Sequence, residues 1–487
     1  MKLLKDILYR TRIDQVVGAT NTAIEQIAFD SRKVVPFTAF VAIPGTRTDG
    51  HEHIADAVGR GATAVICERI PEEPAKGVTY VKVSNSAHAL AIMAANFHDH
   101  PSRKLKLVGV TGTNGKTSVV TMLHRLYRAL GRKTGMIGTV ETRVGQRLEP
   151  STHTTPDPIR LNELLAAMVE ERCTHCFMEV SSHALVQDRV TGLEFDLAVF
   201  TNITHDHLDY HGSFADYIKA KKRLFDELSG EAMALVNADD PNSRVMVQNT
   251  KASKRSFALH ELADHRARVV ENQLNGLHLH IDGHDVYTRL VGAFNASNLL
   301  AVYSSAVLLG EAPLTILTAL SDIAPPPGRF QLVPAKSEVM GIVDYAHTPD
   351  ALKNVLATLR EVCAQGERVI TVVGCGGDRD RQKRPEMARI AAQNSDLVVL
   401  TSDNPRSEDP MSIIEEMRTG LSTSDATRAY VNVDRREAIR QACSLAGPGD
   451  VVLVAGKGHE TYQEIHGVRH AFDDVEVLKQ ALELLHS

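Results

Sequence analysis

One glycine-rich loop constrains this chain more than any other segment. The stretch from Gly109 to Ser118 reads GVTGTNGKTS; it follows an apolar run at 105–110 and precedes helical spacing over 118–130. Glycines let successive backbone N–H groups face one anion, and the N-terminus of a helix adds partial positive charge. The sequence therefore predicts a buried parallel strand, a phosphate-binding loop and a helix, in that order.

Two side chains of this loop have separate expected tasks. Lys116 would reach the terminal phosphates of a nucleoside triphosphate, and the hydroxyl of Thr117 would hold Mg²⁺. Val110 stands where the general pattern has its first glycine, and the alternative interpretation is a strand-to-helix turn with an incidental lysine. The expected nucleotide contacts are Gly112, Thr113, Asn114, Gly115, Lys116, Thr117 and Ser118.

Length and composition bound the class of protein. The chain has 487 residues, too many for one ordinary core, and this length predicts roughly three domains. No apolar run approaches the ~18 residues of a membrane span, and early charges interrupt any signal-peptide pattern. A net charge of −6 argues against a broad basic face for nucleic acid. We expect a cytoplasmic protein that holds anionic ligands with local basic groups.

Alternating strand and helix patterns divide the chain into three predicted blocks: 1–103, 104–333 and 334–487. A proline-rich segment at 325–330 closes the second block. The strands predicted in the first block span residues 27–32, 39–43 and 61–67. The strands predicted in the third block span residues 339–344, 368–374, 396–401 and 450–455. Each of these four runs into a polar loop, and the four loops should share one edge of a parallel sheet.

Two further predicted strands of the second block end in polar side chains. One runs from Cys176 to His183 and contains Glu179, and the next leads from 197–202 into a segment that contains His207. Because the carboxyl ends of parallel strands share an edge, we expect Glu179 and His207 beside the phosphate loop as metal-side partners. Either residue alone is explained as well by ordinary hydrogen bonding. The basic run at 219–223 fits a solvated helix face, and the pattern alone does not single out one lysine.

The chain has six cysteines, and Cys173 and Cys176 form a CxxC pair. No second ligand pair lies at metal spacing, so we interpret both as reduced, structural residues; a zinc or redox site is the alternative.

Motifs spread over nearly the whole chain resemble those of the Mur ligase family. They are TGTNGKTS (111–118), MEVSSHALVQDRV (178–190), FTNITHDHLDYHG (200–212), GAFNASN (292–298), DYAHTPDAL (344–352), GCGGDRD (374–380) and GKGHETYQ (456–463). The resemblance is specific because no single short motif carries it. It implies a three-domain α/β fold: an N-terminal α/β domain for a UDP-sugar peptide, a central P-loop ATPase domain with a parallel sheet, and a C-terminal Rossmann-like domain for an amino acid.

The resemblance implies an ATP-dependent ligase of cytoplasmic peptidoglycan precursor synthesis. ATP would phosphorylate the D-glutamyl γ-carboxylate of UDP-N-acetylmuramoyl-L-alanyl-D-glutamate, and the amine of an added amino acid would attack the acyl phosphate. Amide, ADP and phosphate would result. The implied partners are this nucleotide-linked dipeptide, meso-2,6-diaminopimelate and ATP with Mg²⁺. We expect no nucleic-acid partner, no membrane association and a monomer.

The resemblance also assigns residues to the ATP and metal sites. Thr117 and the phosphate loop would hold one Mg²⁺. Glu179, His207 and a carbamylated Lys221 (N6-carboxylysine) would hold a second, because CO₂ converts a repelling ammonium into an anionic oxygen ligand. With Lys116 these are the predicted catalytic residues. Around the nucleotide the resemblance places Asn295, Arg329, Asp344 and His347.

Ten residues are assigned by resemblance to the UDP-sugar peptide. Those near the uridine diphosphate are Phe29, Ser31, Thr46, Arg47 and Thr48. Those along the muramoyl peptide are Thr154, Thr155, Ser181, Gln187 and Arg189.

The added amino acid is predicted from the sequence DNPR at 403–406. In relatives this motif accompanies meso-diaminopimelate, whose extra carboxylate Arg406 can bind bidentately. Lysine would leave that guanidinium unpaired, at a cost of about 1–3 kcal/mol if it is buried. The alternative is a turn with a surface arginine. The residues assigned to this amino acid are Asp403, Asn404, Pro405, Arg406, Arg379, Gly456 and Glu460, the last for the distal ammonium.

Other functions stay open at this point. They are an L-lysine-adding ligase of the same family, a folate-glutamate ligase, a P-loop switch or motor without ligase activity, and a non-catalytic UDP-sugar-binding protein. Arg406 argues against lysine, and the N-terminal block argues against folate. The amino-acid-like loops of the third block argue against a switch, and intact Lys116, Glu179 and His207 argue against a non-catalytic protein.

Overall fold

The structure is a computed structural model that describes residues 1–45, 48–151, 153–335, 338–364 and 366–485. Within these residues the strands form sheets of five, eleven and six strands, plus two two-stranded ribbons. Each large sheet is covered by helices and has its own buried apolar clusters. The predicted α/β class with three sheet-centred units is confirmed, whereas the boundaries at 103 and 333 stay predictions.

The first unit is a five-stranded sheet in the order β2-β7-β6-β5-β4, parallel except for β2. Its elements are β1 (Lys2–Leu3), α1 (Leu4–Ile7), β2 (Ile13–Val17), β3 (Ala23–Ile24), β4 (Gln26–Ala28), β5 (Thr38–Val41), α2 (Ile54–Gly59), β6 (Ala62–Cys67), β7 (Thr79–Val83) and α3 (Ser86–Phe97).

The strand predicted over 27–32 is too long. β4 ends at Ala28, and the carboxylate of Asp30 accepts the N–H of Arg32 at 3.1 Å to begin a 3₁₀ turn over Ser31–Lys33. A capping aspartate offers the backbone an alternative to the sheet ladder, which the strand pattern alone does not reveal.

The second unit contains the eleven-stranded sheet. Its elements are β8 (Lys106–Thr111), α4 (Lys116–Ala129), β9 (Thr134–Ile137), β10 (Thr142–Val144), β11 (Arg147–Glu149), α5 (Pro158–Glu170), β12 (His175–Glu179), α6 (Ser182–Val186), β13 (Leu197–Phe200), α7 (Leu208–His211), α8 (Phe214–Asp226), β14 (Met233–Asn237), α9 (Ser243–Met246), β15 (Ser253–Ala258), β16 (His265–Gln273), β17 (Gly276–Ile281), β18 (His284–Thr288), α10 (Ala293–Leu308) and α11 (Pro313–Leu320).

The strand order of this sheet is β11-β10-β9-β12-β8-β13-β14-β15-β16-β17-β18, with parallel pairing from β9 to β16. The strand and helix predicted around the phosphate loop are confirmed as β8 and α4. The strand predicted over 176–183 ends early, at Glu179, because the hydroxyl of Ser181 accepts the N–H of Ala184 at 3.2 Å and caps α6.

The third unit has strand order β19-β20-β24-β21-β22-β23, parallel except for β19. Its elements are β19 (Gln331–Val333), β20 (Met340–Asp344), α12 (Pro349–Val362), β21 (Val369–Val373), α13 (Lys383–Asn394), β22 (Leu397–Leu400), α14 (Pro410–Arg418), α15 (Thr423–Ala426), β23 (Ala429–Val431), α16 (Arg435–Leu445), β24 (Val451–Ala455), β25 (Tyr462–Ile465), β26 (Val468–Ala471) and α17 (Asp474–Leu484).

The four predicted strands of this block, β20, β24, β21 and β22, are neighbours in one parallel sheet. Their polar loops therefore share its carboxyl edge, as predicted. β19 precedes residue 334 but joins this sheet through β20.

The second and third units meet at the carboxyl edges of their sheets. The amide of Asn114 in the phosphate loop donates to Oδ2 of Asp350 in α12 at 3.0 Å. The guanidinium of Arg329, in the segment between the sheets, lies 4.4 Å from the ring centre of Tyr345. The strand-end loops of the two sheets therefore face one cleft.

Two further observations concern the length of the helices and the cysteines. No helix in the described parts of the chain is long and apolar enough to cross a bilayer. All six cysteines are free thiols, and Cys173 and Cys176 are buried.

Candidate active site

The phosphate loop (residues 112–118) joins β8 to α4 through two glycines with positive φ. Gly112 has φ +155° and Gly115 has φ +86°. A Cβ added to Gly115 would lie 2.4 Å from Oδ1 of Asn298 on α10, so this helix packs directly against the loop. α4 begins at Lys116, and its free N–H groups therefore point toward the position of a bound anion.

The end of β13 holds the loop in shape. The N–H of Asn114 donates to Oδ1 of Asn202 at 2.9 Å, and the hydroxyl of Thr201 donates to the carbonyl of Asn114 at 2.6 Å. The N–H of Thr113 donates to the carbonyl of Asn202 at 2.8 Å. These bonds preorganise the loop before any phosphate binds.

Two ammonium groups converge on one carbonyl oxygen of the loop. Nζ of Lys116 and Nζ of Lys221 each donate to the carbonyl of Gly112 at 2.8 Å, and Lys116 also donates to the carbonyl of Thr113 at 2.9 Å. Loss of hydration lowers the pKa of both lysines. Lys116 lowers the pKa of Lys221 further, because two like charges oppose each other.

Lys221 is the member of the basic run on α8 that reaches the loop. Its side chain is 1% exposed and lies over the ring of Tyr217. Lys222 instead pairs with Asp226 at 2.7 Å, and Lys219 is exposed. Among the described residues no carboxylate pairs with Lys221. A buried amine in such a setting is neutral over more of the pH range and can react with CO₂.

Glu179, at the carboxyl end of β12, lies beside the phosphate loop and is 1% exposed. Its Oε2 accepts the hydroxyl of Thr117 at 3.0 Å, and its Oε1 accepts the N–H of Thr139 at 2.8 Å. Nη2 of Arg329 donates to the same Thr117 hydroxyl at 3.2 Å. The carboxylate, the hydroxyl and the guanidinium therefore form one polar chain at the loop.

His207 lies where the histidine-rich segment enters α7, with φ +55°. Its Nε2 is 3.3 Å from Oδ2 of Asp206, and its ring centre is 5.0 Å from that of His183. Loss of hydration lowers the pKa of His207 although 42% of the side chain is exposed, and Asp206 opposes the shift. A neutral imidazole is the form that ligates metals.

The residues fit a hard cation such as Mg²⁺, which the family resemblance implies, on the condition that Lys221 is carbamylated. Within the described ranges no group of three or more His, Cys, Asp and Glu side chains is arranged as a metal site. The predicted set differs in kind, because Thr117 supplies a hydroxyl and Lys221 can supply oxygen only after carbamylation. Glu179 supplies a buried carboxylate, which suits an oxygen-seeking cation.

The residues predicted along the muramoyl peptide form one cluster next to β12. Arg189 donates through Nη1 to the carbonyl of Thr155 at 2.7 Å and through Nη2 to Oε1 of Gln187 at 2.6 Å. The N–H of Ser181 donates to Oγ1 of Thr155 at 3.2 Å. The cluster is joined to Glu179 by the pair of Thr154 and Thr139 hydroxyls, which lie 2.9 Å apart.

The residues predicted near the uridine diphosphate belong to the first unit. Phe29 is 39% exposed, Ser31 is buried at the start of the 3₁₀ turn, and Thr48 is exposed. Thr46 and Arg47 lie outside the described residues. Among the described residues, no hydrogen bond or ion pair joins Phe29, Ser31 or Thr48 to the peptide cluster.

Two residues predicted around the nucleotide, Asn295 and Asp344, form hydrogen bonds with the backbone. The amide of Asn295 donates to the carbonyl of Val291 at 2.8 Å. Asp344 accepts two backbone N–H groups, from Phe330 at 2.6 Å and Ala346 at 2.7 Å, and burial raises its pKa. This carboxylate therefore fixes the segment that carries Arg329.

His347 lies in the loop after β20. Its Nδ1 is 2.9 Å from the carbonyl of Tyr345, and burial lowers its pKa to about 4. Nζ of Lys383 donates to the carbonyl of His347 at 3.0 Å.

The DNPR segment follows β22 directly and faces the glycine loop after β21. Nη1 of Arg406 donates to the carbonyl of Gly377 at 2.6 Å, and the residue itself has φ +51°. A β-bridge to Ile465 anchors its backbone. This bonding directs the guanidinium toward the loop that carries Arg379. The Arg379 side chain is exposed and donates to the carbonyl of Asp378 at 3.2 Å.

The remaining residues assigned to the amino acid meet at the ends of β22 and β24. The amide nitrogen of Asn404 donates to Oε2 of Glu460 at 2.7 Å. A Cβ added to Gly456 would lie 2.6 Å from Oδ2 of Asp403, which explains a glycine there. Pro405 directs the chain between Asn404 and Arg406, and its carbonyl lies against Gly377.

Several residues of this cleft have no role among the expectations drawn from the sequence. They are Tyr217, Asn298, Thr139, Asp350 and Lys457. Asn298, Asp350 and Lys457 occur inside quoted motifs, so their position was a usable signal. Tyr217 and Thr139 act through contacts between segments distant in sequence, which no local pattern encodes.

Three family models match the chain. The Mur ligase middle domain matches residues 110–306, the glutamate ligase domain of Mur ligases matches 328–458, and the Mur ligase family catalytic domain matches 23–98.

Individual relatives match along nearly the whole length. A protein of Cytophaga hutchinsonii named UDP-N-acetylmuramoyl-L-alanyl-D-glutamate--2,6-diaminopimelate ligase is 53% identical, and the match covers 99% of each chain. A protein of Bacteroides thetaiotaomicron with the same name is 49% identical over 98% of this chain and 99% of its own. A solved structure with that name is 32% identical, has a TM-score of 0.70, and matches over 100% of this chain and 99% of its own.

Proposed function

This chain belongs to the Mur ligase family, and from that premise we propose that it is the ATP-dependent ligase that adds meso-2,6-diaminopimelate to UDP-N-acetylmuramoyl-L-alanyl-D-glutamate. The amide forms at the D-glutamyl γ-carboxylate, through an acyl phosphate, in the synthesis of peptidoglycan precursors. The 53% and 49% identical relatives carry the name of this activity.

One structural observation carries the proposal: the phosphate loop meets the carboxyl edge of the third unit's sheet, and the DNPR segment lies on that same edge. The Asn114 to Asp350 hydrogen bond and the Arg329 to Thr117 hydrogen bond both cross the cleft between the two sheets. A nucleotide switch would need the first sheet edge alone. A reaction that joins an activated carboxylate to an amine needs both.

In the first step the γ-carboxylate attacks the γ-phosphorus of ATP and ADP leaves. The N–H groups of the phosphate loop and the N-terminus of α4 bind the phosphates. Lys116 exchanges its carbonyl partners for the transferring phosphoryl group, and Arg329 balances charge from the other side. Arg189 and its neighbours hold the peptide, so the protein contributes chiefly position and charge neutralisation.

In the second step the neutral amine of diaminopimelate attacks the acyl carbon and the C–N bond forms. The C–O bond to phosphate then breaks, phosphate leaves, and the nitrogen releases one proton to phosphate or solvent. Arg406 binds the distal carboxylate and Glu460 binds the distal ammonium. Lysine lacks that carboxylate, which is the physical basis for the expected preference.

Mg²⁺, when bound, would neutralise phosphate charge and polarise the transferring group. Thr117 and the phosphate loop would hold one Mg²⁺, and Glu179, His207 and the carbamylated form of Lys221 would hold a second. We also propose that the enzyme works in the cytoplasm, where ATP and nucleotide-linked sugars are available, and as a monomer.

The test is phosphate release by the purified protein with ATP, Mg²⁺ and the UDP-linked dipeptide, with meso-diaminopimelate or L-lysine added in parallel. We expect release and a tripeptide product by mass spectrometry with diaminopimelate alone. Turnover with lysine instead would contradict the specificity while keeping the ligase. Release that ignores both amino acids would contradict ligase activity and favour a nucleotide switch or motor.

A further inference from the structure

A buried lysine in the proposed amino-acid site has no role in the function described so far. Lys457, in the loop between β24 and β25, has a side chain that is 0% exposed. Its Nζ donates to Oδ1 of Asn404 at 3.0 Å and to Oε2 of Glu460 at 3.1 Å. It therefore connects the DNPR segment to the loop after β24, and both segments are expected to bind the amino acid.

The hydrogen bonds fix the Asn404 side chain in one orientation. Its Oδ1 accepts from Lys457 and from the N–H of Glu464 at 2.9 Å, while its Nδ2 donates to Glu460 at 2.7 Å. An ammonium and a backbone N–H can only donate, and a carboxylate can only accept. Rotating the amide by half a turn would break all three bonds.

The same contacts leave one oxygen of Glu460 available. Oε2 receives both Lys457 and Asn404, whereas Oε1 has no hydrogen-bond partner among the described residues. The Glu460 side chain is 18% exposed. A carboxylate held by one oxygen presents the other in a fixed direction, which lowers the cost of ordering it when a ligand binds.

We propose that Lys457 is a positioning residue for the added amino acid, which orients Glu460 through Oε2 and locks the Asn404 amide so that Oε1 meets the ligand's ammonium. The inference rests on the proposed function. Lys457 itself does not touch the amino acid, because its ammonium is already enclosed by these two partners and the ring of Tyr462, 5.5 Å away.

The test measures KM and kcat of Lys457→Met for each of the three substrates. Loss of a charged hydrogen-bond partner should raise the KM for diaminopimelate by about tenfold or more. The KM values for ATP and for the UDP-linked dipeptide should stay within about twofold. The matched control is Lys479→Met on α17, where the lysine is exposed; all KM values should be unchanged.

A double-mutant cycle separates positioning from general stability. If Lys457 acts through Glu460, then Lys457→Met should raise the diaminopimelate KM by less than about threefold in a Glu460→Gln background. The inference would be overturned if the increases in diaminopimelate KM caused by the two single substitutions multiplied in the double variant. Equal changes in the KM values of all three substrates would also overturn it. If Lys457→Met does not fold, Lys457→Gln replaces it, and an unchanged diaminopimelate KM in that variant would overturn the inference.

The wild-type assay keeps this inference separate from the proposed function. If the wild type joins lysine rather than diaminopimelate, the specificity proposal fails, and the same KM comparison made with lysine decides the role of Lys457. If the wild type joins diaminopimelate but Lys457→Met has a normal KM, only the inference fails. A wild type that joins neither amino acid overturns both.

Discussion

Lys116 and Lys221 donate to the same oxygen atom, the carbonyl of Gly112, each at 2.8 Å. They reach it from different helices, α4 and α8, and the structure shows no carboxylate paired with either within the described residues. Two like charges that share one acceptor, with Lys221 buried and Lys116 half-buried, are unfavourable together. The arrangement is resolved if Lys116 binds phosphate and Lys221 is neutral and reacts with CO₂.

We therefore predict that Lys221 is carbamylated in the active enzyme. Lys221→Met should lower kcat by about 100-fold or more, because it removes charge stabilisation at the transferring phosphoryl group. Depletion of CO₂ should lower wild-type activity, and bicarbonate should restore it. Peptide mass spectrometry after chemical trapping should find one added carboxyl group on Lys221.

Lys222→Met is the matched control for this prediction. Lys222 is the next residue of α8 but pairs with Asp226 at 2.7 Å. Its replacement should leave kcat and the bicarbonate response unchanged. Full activity of Lys221→Met in CO₂-free buffer would contradict the prediction.

Gly115 and Gly131 flank α4 and allow a paired test of the phosphate loop. Both have positive φ, +86° and +76°, but a Cβ meets Asn298 at Gly115 and nothing within 4 Å at Gly131. Alanine at either site should lower the free energy of unfolding by about 1–2 kcal/mol through backbone strain. Gly115→Ala should cost a further ~1–3 kcal/mol from overpacking, measured by urea unfolding. Asn298→Ala should abolish this excess; an equal cost at both glycines would refute it.

The sequence predicted the parts of this fold that depend on local pattern. Apolar runs followed by polar loops identified β8, β20, β21, β22 and β24, because a strand buried on both faces has a continuous apolar signature. The phosphate loop and α4 were predictable because the glycine spacing has one physical use. Two predicted strands were too long, because they continued past Ala28 and past Glu179, where the observed strands end. Asp30 and Ser181 cap short helical segments at these places instead.

The sequence proposes a set of residues for the candidate site, but it does not specify the contacts among them. The residue pattern alone did not separate Lys221 from Lys219 and Lys222, because all three occupy one basic run. The family resemblance assigned Lys221, and Lys221 is also the buried one of the three. The role of Lys457 depends on Asn404, 53 positions away in the chain. Such long-range hydrogen bonds follow from strand order, which local patterns do not specify.

Arg406 should determine the choice of amino acid. Arg406→Ala should lower kcat/KM for diaminopimelate by about 100-fold, because two charge-assisted hydrogen bonds to the distal carboxylate are lost. The KM for ATP should stay within about twofold. Arg406→Lys keeps the charge but not the bidentate geometry, so its kcat/KM for diaminopimelate should lie between those of the wild type and Arg406→Ala. Arg418→Ala, at an exposed arginine on α14, is the control; equal losses for ATP and diaminopimelate would exclude the assignment.

Glu408 should contribute pH-dependent stability to the loop beneath Arg406. Hydrogen bonds from Arg384, at 2.8 and 3.0 Å, lower the pKa of Glu408 to about 2. A carboxyl whose pKa is lower in the folded protein contributes its full stabilisation of the fold at pH values above its unfolded-state pKa, near 4.5. This stabilisation is lost as the pH falls toward the folded-state pKa of about 2. Because solvent screens part of this pair, we expect a contribution of about 1–2 kcal/mol.

Urea unfolding at several pH values tests this effect. Glu408→Gln should be less stable than the wild type at pH 7, and the difference should shrink as the pH falls below about 4.5. Glu415→Gln, in an exposed pair with Arg418, should show neither effect. A difference between Glu408→Gln and the wild type that does not change with pH would contradict the assignment.

The ion pair between Arg435 and Asp474 should be the most costly to break in the third unit. Both side chains are 0% exposed, and two hydrogen bonds of 2.8 Å join them. Arg435 also donates to the carbonyl of Ala455 at 3.0 Å, at the end of β24.

Asp474→Asn leaves a buried guanidinium without its counter-charge, so it should destabilise the protein by about 3–5 kcal/mol. Glu437→Gln on the same helix α16 breaks an exposed pair with Arg440 and should cost less than ~1 kcal/mol. Urea unfolding followed by hydrogen exchange in α17 measures both, and similar costs would show that burial does not determine the strength of this pair.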